Sequence, residues 1–143
     1  MLAVAFFSAQ AQTIPNNGVE TWTSPLNPDG WATYSSAFSF NIGLCAKDSL
    51  DKVVGANSVK VYSDSIPGQP NYGVIAGLVS TGTATSAGGP PTFIGIPFAF
   101  RPDTLFFAYK YTSPGSDTAA VSLTMTKNGA TVFAGGYNSL YLG

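Results

Sequence analysis

The sequence predicts an all-β protein, an antiparallel jelly-roll β-sandwich, and three features of the chain lead to this prediction. Apolar and polar side chains alternate between residues 118 and 126, which is the pattern of a strand with one buried face. Sixteen glycines and ten prolines separate short runs of aromatic or β-branched residues, as turns separate strands. No window sustains the 3.6-residue period of an amphipathic helix. Regularly spaced short strands are typical of a sandwich or barrel, so we expect little helix.

Length and charge limit the class of protein and of partner. A chain of 143 residues corresponds to about one domain, and only 9% of its residues are charged. Six Lys and Arg residues stand against seven Asp and Glu residues, for a net charge of −1. Because no basic field is present to hold phosphates, we expect no nucleic acid partner.

The first twelve residues, MLAVAFFSAQAQ, predict the end of a secretory signal peptide. An apolar stretch precedes small residues at positions 9 and 11, as before a cleavage site. The stretch is short and no basic residue precedes it, so we expect the leader to be incomplete; the alternative is a buried first strand. Residues 13–143 are predicted to form the sandwich domain of a secreted or cell-surface protein. We expect no membrane insertion, because an apolar run of about 20 residues is missing.

Four strands are predicted before residue 83. They lie around Val19 to Thr23, within residues 31–46, in residues 58–64 and in residues 71–82. The second has apolar side chains on one parity, and the third alternates valine with Lys or Tyr. Residues 81–93, TGTATSAGGPPTF, are predicted to be a loop because they are rich in Gly, Ser, Thr and Pro and offer few large side chains for burial.

The strongest strand signal lies between residues 105 and 126. Residues 105–111 carry apolar or aromatic side chains on both parities, which predicts a central strand covered on both faces. The turn cluster SPGSD at residues 113–117 favours a reversal into the half-buried strand 118–126, so the two are predicted to form an antiparallel hairpin. Two last strands, ATVFAGG and SLYLG, follow a turn at residues 127–129. Because the chain ends directly after an apolar run, we expect a final strand or a downstream region beyond residue 143.

Five segments resemble a known family. In order they are IPNNGVETWTS, PDGW, GANSVKVYSD, GIPFAFRP and LFFAYKYTSPGSDTAAVSLTMTK. The chain is similar to secreted proteins of the Bacteroidetes type whose N-terminal domain is a galactose-binding-like jelly roll, related to the putative carbohydrate metabolism domain. It departs from the family's pattern at Phe107 and Ala108. The resemblance implies export, association with glycans and further domains of the parent protein.

The inventory of side chains predicts that the protein is not an enzyme. The chain has no histidine, which a Ser-His-Asp hydrolase needs to carry the proton. A glycosidase needs two carboxylates across the scissile bond, whereas the seven acids lie mostly beside turn residues. A zinc site is not expected, because the chain has no histidine and Cys45 is its single cysteine. The apolar neighbours of Cys45 predict a small buried side chain and not a nucleophile.

Carbohydrate binding fits the residue types better, because sugars need flat aromatic rings with a few polar groups beside them. The candidate binding residues are Tyr72, Arg101, Tyr109, Lys110 and Tyr111. For Tyr109 and Tyr111 the alternative is packing in the core or at a sheet edge, and for Tyr72 it is a loop side chain lying on its own domain. Arg101 alternatively holds the entry of the strand by bonding carbonyl groups.

Calcium is the one cofactor considered. Jelly rolls of the family that the chain resembles often take a Glu from the first strand and an Asp from the last, and Glu20 fits the first position through that resemblance. The acid of the last strand is not visible before Gly143. A solvated or hydrogen-bonded Glu20 is the alternative, and the one we favour.

These observations together predict a non-catalytic carbohydrate-binding module, with a glycan or polysaccharide as partner. The alternative is a structural or adhesive spacer domain that has no small-molecule ligand. Two or more exposed rings on one sheet face favour the first function, and a face covered with Ser and Thr favours the second.

Overall fold

The computed structural model describes residues 13–38, 42–66, 68–99, 105–112, 118–133 and 139–142. The chain divides into two compact units, residues 1–103 and residues 104–143. The helical segments among the described residues are one five-residue α-helix and one three-residue 3-10 turn. A strand-rich fold with little helix is therefore confirmed. The predicted signal peptide lies outside the described residues, and none of the described helices has the length and apolar character needed to cross a bilayer.

The described part of the first unit consists of short strands joined by turns. In chain order its elements are β1 (Trp31–Thr33), α1 (Tyr34–Phe38), β2 (Cys45–Asp48), β3 (Ser58–Val61), β4 (Asp64–Ser65), the 3-10 turn Pro70–Tyr72, β5 (Val74–Ile75), β6 (Val79–Thr81), β7 (Thr83–Thr85) and β8 (Thr92–Ile94). The strands pair antiparallel, β1 with β6, β2 with β3, β4 with β5 and β7 with β8. The predicted strand 58–64 is confirmed over residues 58–61 as β3, and its last residue belongs to β4. The strand predicted over 71–82 is two separate strands, β5 and β6.

The core of the first unit, in its described residues, combines small side chains with two larger aliphatic ones. Its buried residues are Pro28, Ala32, Thr33, Ala37, Ile42, Leu44 and Cys45. They belong to the turn before β1, to β1, to α1, to the segment that leads into β2 and to the first residue of β2. Since α1 packs against both β1 and β7, the buried face of the helix connects two of the strand pairs. Small residues allow these short elements to approach closely.

The strand predicted within residues 31–46 is wrong over residues 34–38, because the chain turns into α1 after β1, and residues 45 and 46 belong to a separate strand, β2. The Thr33 hydroxyl accepts the backbone N–H of Ser36 at 3.4 Å, and the Ser36 hydroxyl accepts the N–H of Thr33 at 2.9 Å. This reciprocal pair satisfies donors at the start of the helix, as a capping box does. Tyr34 and Phe38, one helical turn apart, stack with ring centroids 6.2 Å apart. The helix cap and the ring pair thus stabilise a helix where a strand was expected.

The strand predicted around Val19 to Thr23 is also wrong, because side-chain hydrogen bonds hold this segment as a loop. Val19 has φ of 51°, whereas strand residues have negative φ. The Asn16 amide donates to the carbonyl of Thr21 at 2.9 Å and accepts its N–H at 3.1 Å. The Asp29 carboxylate accepts the N–H of Thr23 at 2.8 Å. The loop therefore closes on itself.

Residues 81–93, predicted to be a loop, form a hairpin. Its strands β7 and β8 pair in the register Thr83 with Ile94, Ala84 with Phe93 and Thr85 with Thr92. The ring of Phe93 packs edge-on against Tyr34 at 6.1 Å between centroids. The one large side chain of the segment therefore attaches the hairpin to α1, which composition alone did not indicate.

The second unit consists of two antiparallel strand pairs in its described residues. Its elements are β9 (Ala119–Ser122), β10 (Met125–Lys127), β11 (Ala130–Phe133) and β12 (Ser139–Leu142). β9 pairs with β12, and β10 pairs with β11. The predicted turn at 127–129 is confirmed: Asn128 and Gly129 have φ of 52° and 79°, as a type I′ hairpin requires. The two strands predicted after it are β11 and β12.

The period-two burial of residues 118–126 is confirmed, but the single strand predicted there is two strands, β9 and β10, and the hairpin with residues 105–111 is wrong. The turn predicted at 113–117 lies outside the described residues. Residues 119, 121, 123 and 125 are half-buried, and residues 118, 120, 122, 124 and 126 are exposed. However, β9 finds its partner in β12, and residues 105–112 belong to none of the strands. All six strand pairs of the described residues are two-stranded sheets.

Burial of Cys45 is confirmed, and it leads to a prediction. The side chain is 2% exposed, and burial raises the pKa of its thiol from 9.0 to about 11. Because the folded state holds the proton more tightly, the contribution of this thiol to the free energy of unfolding should be constant below pH 9 and fall as the pH rises from 9 towards about 11. Urea unfolding at several pH values measures this slope. Cys45→Ala, which has no proton to lose, should show a smaller fall than the wild type over the same range.

Candidate functional site

The clearest pair of exposed rings lies in the second unit. Phe107 and Tyr109 are 44% and 58% exposed, their ring centroids are 5.9 Å apart and their planes are inclined by 37°. Residues two apart reach the same side of an extended chain, and this spacing brings the two rings together. The pair therefore presents two aromatic faces to the surroundings from one short segment.

The remaining predicted residues fall in different places. Lys110 and Tyr111 follow Tyr109 directly in the second unit. Lys110 is exposed and Tyr111 is half-buried. Tyr72 belongs to the first unit, where it ends the 3-10 turn and is 66% exposed. Arg101 lies outside the described residues. The structure thus brings Tyr109, Lys110 and Tyr111 into one segment and places Tyr72 in the other unit.

Phe106 and Phe107 are surface residues that the sequence reasoning did not select. Phe106 is 90% exposed, the highest value among the aromatic side chains described as exposed. Their hydrophobicity predicts a central strand covered on both faces, and that prediction is wrong, because residues 105–112 belong to no strand and both rings are exposed. No local signal separates an apolar strand that is buried from the same segment left at the surface.

The Glu20 carboxylate binds a turn of its own chain, which is the alternative favoured over a calcium ligand. Both of its oxygens accept the N–H of Ala56 at 3.0 Å, and Oε2 also accepts the Asn57 amide at 3.1 Å. Gly55, with φ of 82°, approaches so closely that an added Cβ would lie 1.8 Å from Oε1. We call this arrangement the Glu20 clip. It joins the loop before β1 to the turn before β3.

The surroundings of Glu20 do not fit a cation. The groups that face its oxygens are N–H donors, whose positive ends a cation would have to displace, whereas Ca²⁺ prefers six to eight oxygen ligands. Among the described residues, no group of three or more His, Cys, Asp or Glu side chains is placed to hold a metal. We therefore continue to favour a hydrogen-bonded Glu20, and calcium binding stays a prediction.

The turn between β2 and β3 exposes an aliphatic surface. Leu50, Val53 and Val54 are all strongly exposed. The Asp48 carboxylate accepts the N–H groups of Leu50 and Asp51 at 2.8 and 3.2 Å, so the turn is held at this end as the Glu20 clip holds it at the other. Aliphatic side chains offer no flat ring to a sugar, and this turn is not included in the candidate site.

Comparisons of the chain with family profiles, with curated proteins and with solved structures gave no match. The resemblance to galactose-binding-like jelly rolls therefore stays a prediction.

Proposed function

We propose that the chain is a non-catalytic carbohydrate-binding module of an exported or cell-surface protein. The observation that carries the proposal is the exposed ring pair of Phe107 and Tyr109. Aromatic faces pack against the apolar face of a sugar ring, and neighbouring polar side chains bond its hydroxyl groups. The hydroxyl of Tyr109 is itself a donor and acceptor beside the ring pair.

The jelly-roll sandwich is part of the same proposal. It is supported by the antiparallel sense of every strand pair in the described residues and by the half-buried face of β9 and β10. A sandwich buries one face of each sheet and leaves the other available to a ligand. A glycan or polysaccharide would lie across such an open face.

The absence of catalysis in this proposal is supported by the roles of the acids. The Glu20, Asp29 and Asp48 carboxylates all accept backbone N–H groups of neighbouring turns. Carboxylates engaged in this way stabilise loops, whereas a glycosidase needs a pair facing each other across a cleft. The chain also has no histidine to act as a general base near neutral pH.

Tyr109→Ala and Phe107→Ala should each weaken binding of the glycan by about tenfold, since each removes one stacking face of roughly 1 kcal/mol or more. A glycan array identifies the sugar, and titration calorimetry of each variant measures the affinity. Phe106→Ala is the matched control, because this ring lies on the opposite parity of the same segment and should leave affinity unchanged. Tyr72→Ala reports separately whether the first unit takes part.

A second function is favoured by one observation. The exposed parity of residues 118–126 includes Thr118, Ser122, Thr124 and Thr126, a surface of small hydroxyl side chains without rings. Such a face suits a structural or adhesive spacer. If the folded protein binds nothing on a broad glycan array, the spacer function replaces the carbohydrate-binding module.

A further inference from the structure

An open pair of rings contacts a ligand differently from a pocket. Phe107 and Tyr109 are 44% and 58% exposed, so each ring meets a ligand with one face and neither encloses it. A pocket that holds a single small molecule buries about 70–90% of its surface. On an open surface each sugar therefore contributes little, and affinity accumulates along a ligand of several sugars.

The spacing of the two rings fits two sugars in succession. Their centroids are 5.9 Å apart, which is about the length that one pyranose residue adds to an extended chain. An aromatic ring and a pyranose ring are similar in size, so one ring of the pair covers one sugar. A single sugar stacks on Phe107 or on Tyr109, whereas a chain reaches both.

We propose that the Phe107 and Tyr109 rings bind two successive residues of an extended, β-1,4-linked chain of glucose-type sugars. The inference rests on the proposed carbohydrate-binding function and names the ligand class of the same site. It uses the two rings alone, and their separation and inclination are the observations that carry it.

The linkage follows from the line on which the rings lie. Phe107 and Tyr109 are two residues apart, on one side of a short segment. In a β-1,4 chain of glucose both bonds of each residue to its neighbours are equatorial, and the chain forms a ribbon with its sugars in a row. An α-1,4 linkage introduces an axial bond, and such a chain curves into a helix. The ribbon therefore places neighbouring sugars over both rings, and the helix does not.

The type of sugar follows from the faces that meet the rings. Successive residues of a β-1,4 chain are turned over, so opposite faces of neighbouring sugars point towards the protein. In a glucose-type residue the ring hydroxyl groups are equatorial, and both faces present C–H groups. An axial hydroxyl, as in galactose, makes one face polar, and the Phe107 ring has no hydrogen-bond partner for it.

The inclination of the rings suits the same ligand. The two planes are inclined by 37°. Neighbouring sugars of a single extended chain are twisted relative to one another, and inclined rings follow this twist. Each ring therefore keeps its face against its own sugar.

Titration of the full chain with glucose, cellobiose, cellotriose and cellotetraose tests the length of the ligand. Chemical shifts in NMR spectra follow the binding, since they register weak affinities. The affinity should rise about tenfold from glucose to the chains, because a chain adds a second stacking contact to the same association.

Maltotetraose is the matched control for the linkage. It contains the same sugar at the same length, joined by α-1,4 bonds. Because its curved chain reaches only one of the two rings, it should bind no more tightly than glucose.

Phe107→Ala tests whether the second ring supplies the gain from length. In this variant cellotetraose should bind about as weakly as glucose binds, since Tyr109 is the only ring left in the pair. Phe106→Ala, on the opposite parity, should keep the full gain. The circular dichroism spectra of both variants show whether they remain folded.

The outcomes separate this inference from the function on which it rests. If glucose or maltotetraose binds as tightly as cellotetraose, the ligand class is overturned and carbohydrate binding stands. The same holds if the protein binds other glycans on an array and none of the β-1,4 series. A folded protein that binds no glycan at all overturns both proposals.

Discussion

Gly82→Ala is expected to destabilise the first unit by about 3 kcal/mol, adding a conformational cost of roughly 1–2 kcal/mol to a steric one of similar size. Gly82 connects β6 to β7 with φ of 97°, and its N–H donates to the carbonyl of Gly30 at 3.1 Å. A Cβ added there would lie 2.1 Å from the carbonyl oxygen of Ile94 in β8. Because that oxygen belongs to the backbone, relief requires the hairpin to move away from β6.

Gly88→Ala separates the two contributions to this cost. Gly88 has a similar φ of 85°, but nothing lies within 4 Å of the Cβ it would gain. Its substitution should therefore cost only the conformational part, about 1 kcal/mol. Urea unfolding of the two variants and the wild type measures the difference. Equal losses of stability for both would show that Gly82 is not closely packed against β8.

Glu20→Ala is expected to cost about 2 kcal/mol of unfolding free energy, since hydrogen bonds to a charged group each contribute roughly 1.5–3 kcal/mol and partial exposure lowers the sum. The substitution leaves the N–H groups of Ala56 and Asn57 without the carboxylate that accepts them. Asp64→Ala is the control, because the Asp64 carboxylate accepts from the adjacent Ser65 and makes a local contact. Its loss should cost less than about 0.5 kcal/mol.

A double-mutant cycle with Gly55 tests the geometry of the Glu20 clip. In the wild-type background Gly55→Ala should displace the flexible Glu20 carboxylate and so cost the clip's hydrogen bonds as well as the conformational term, about 3 kcal/mol together. In the Glu20→Ala background the overlap disappears, and only the cost of φ of 82° remains, about 1 kcal/mol. Additive effects of the two substitutions would contradict the arrangement.

Thermal unfolding with and without calcium tests whether Glu20 is a metal ligand. Because N–H donors face both oxygens of Glu20, adding calcium should leave the Tm of the wild-type protein unchanged. A Tm that rises with calcium in the wild type but not in Glu20→Ala would instead establish Glu20 as a ligand.

Features set by neighbouring residues could be predicted. The alternation of residues 118–126 matches their burial, and the Asn128-Gly129 turn follows from two residues that tolerate positive φ. The burial of Cys45 follows from the apolar residues beside it. For the candidate site, the sequence selected Tyr109 but missed Phe107, which is its ring partner in the structure.

Features that depend on residues far apart in the chain could not be predicted from the sequence. Residues 105–111 have the composition of a strand, yet β9 pairs with β12, and the choice between partners depends on contacts that no local pattern contains. Glu20 meets Ala56 across 36 residues of sequence, so its partner appears only in the folded chain.

The sequence alone therefore determined that this protein is built of short strands, where the Asn128-Gly129 turn lies and which face of residues 118–126 is buried. These properties depend on backbone dihedral preferences and on the two-residue period of a strand, which act within a few residues. Only the tertiary structure decided which strands pair, that α1 replaces a strand after Thr33 and that aromatic residues 106, 107 and 109 are exposed. Those outcomes depend on packing between segments far apart in the chain, where small differences in contact free energy outweigh local propensity.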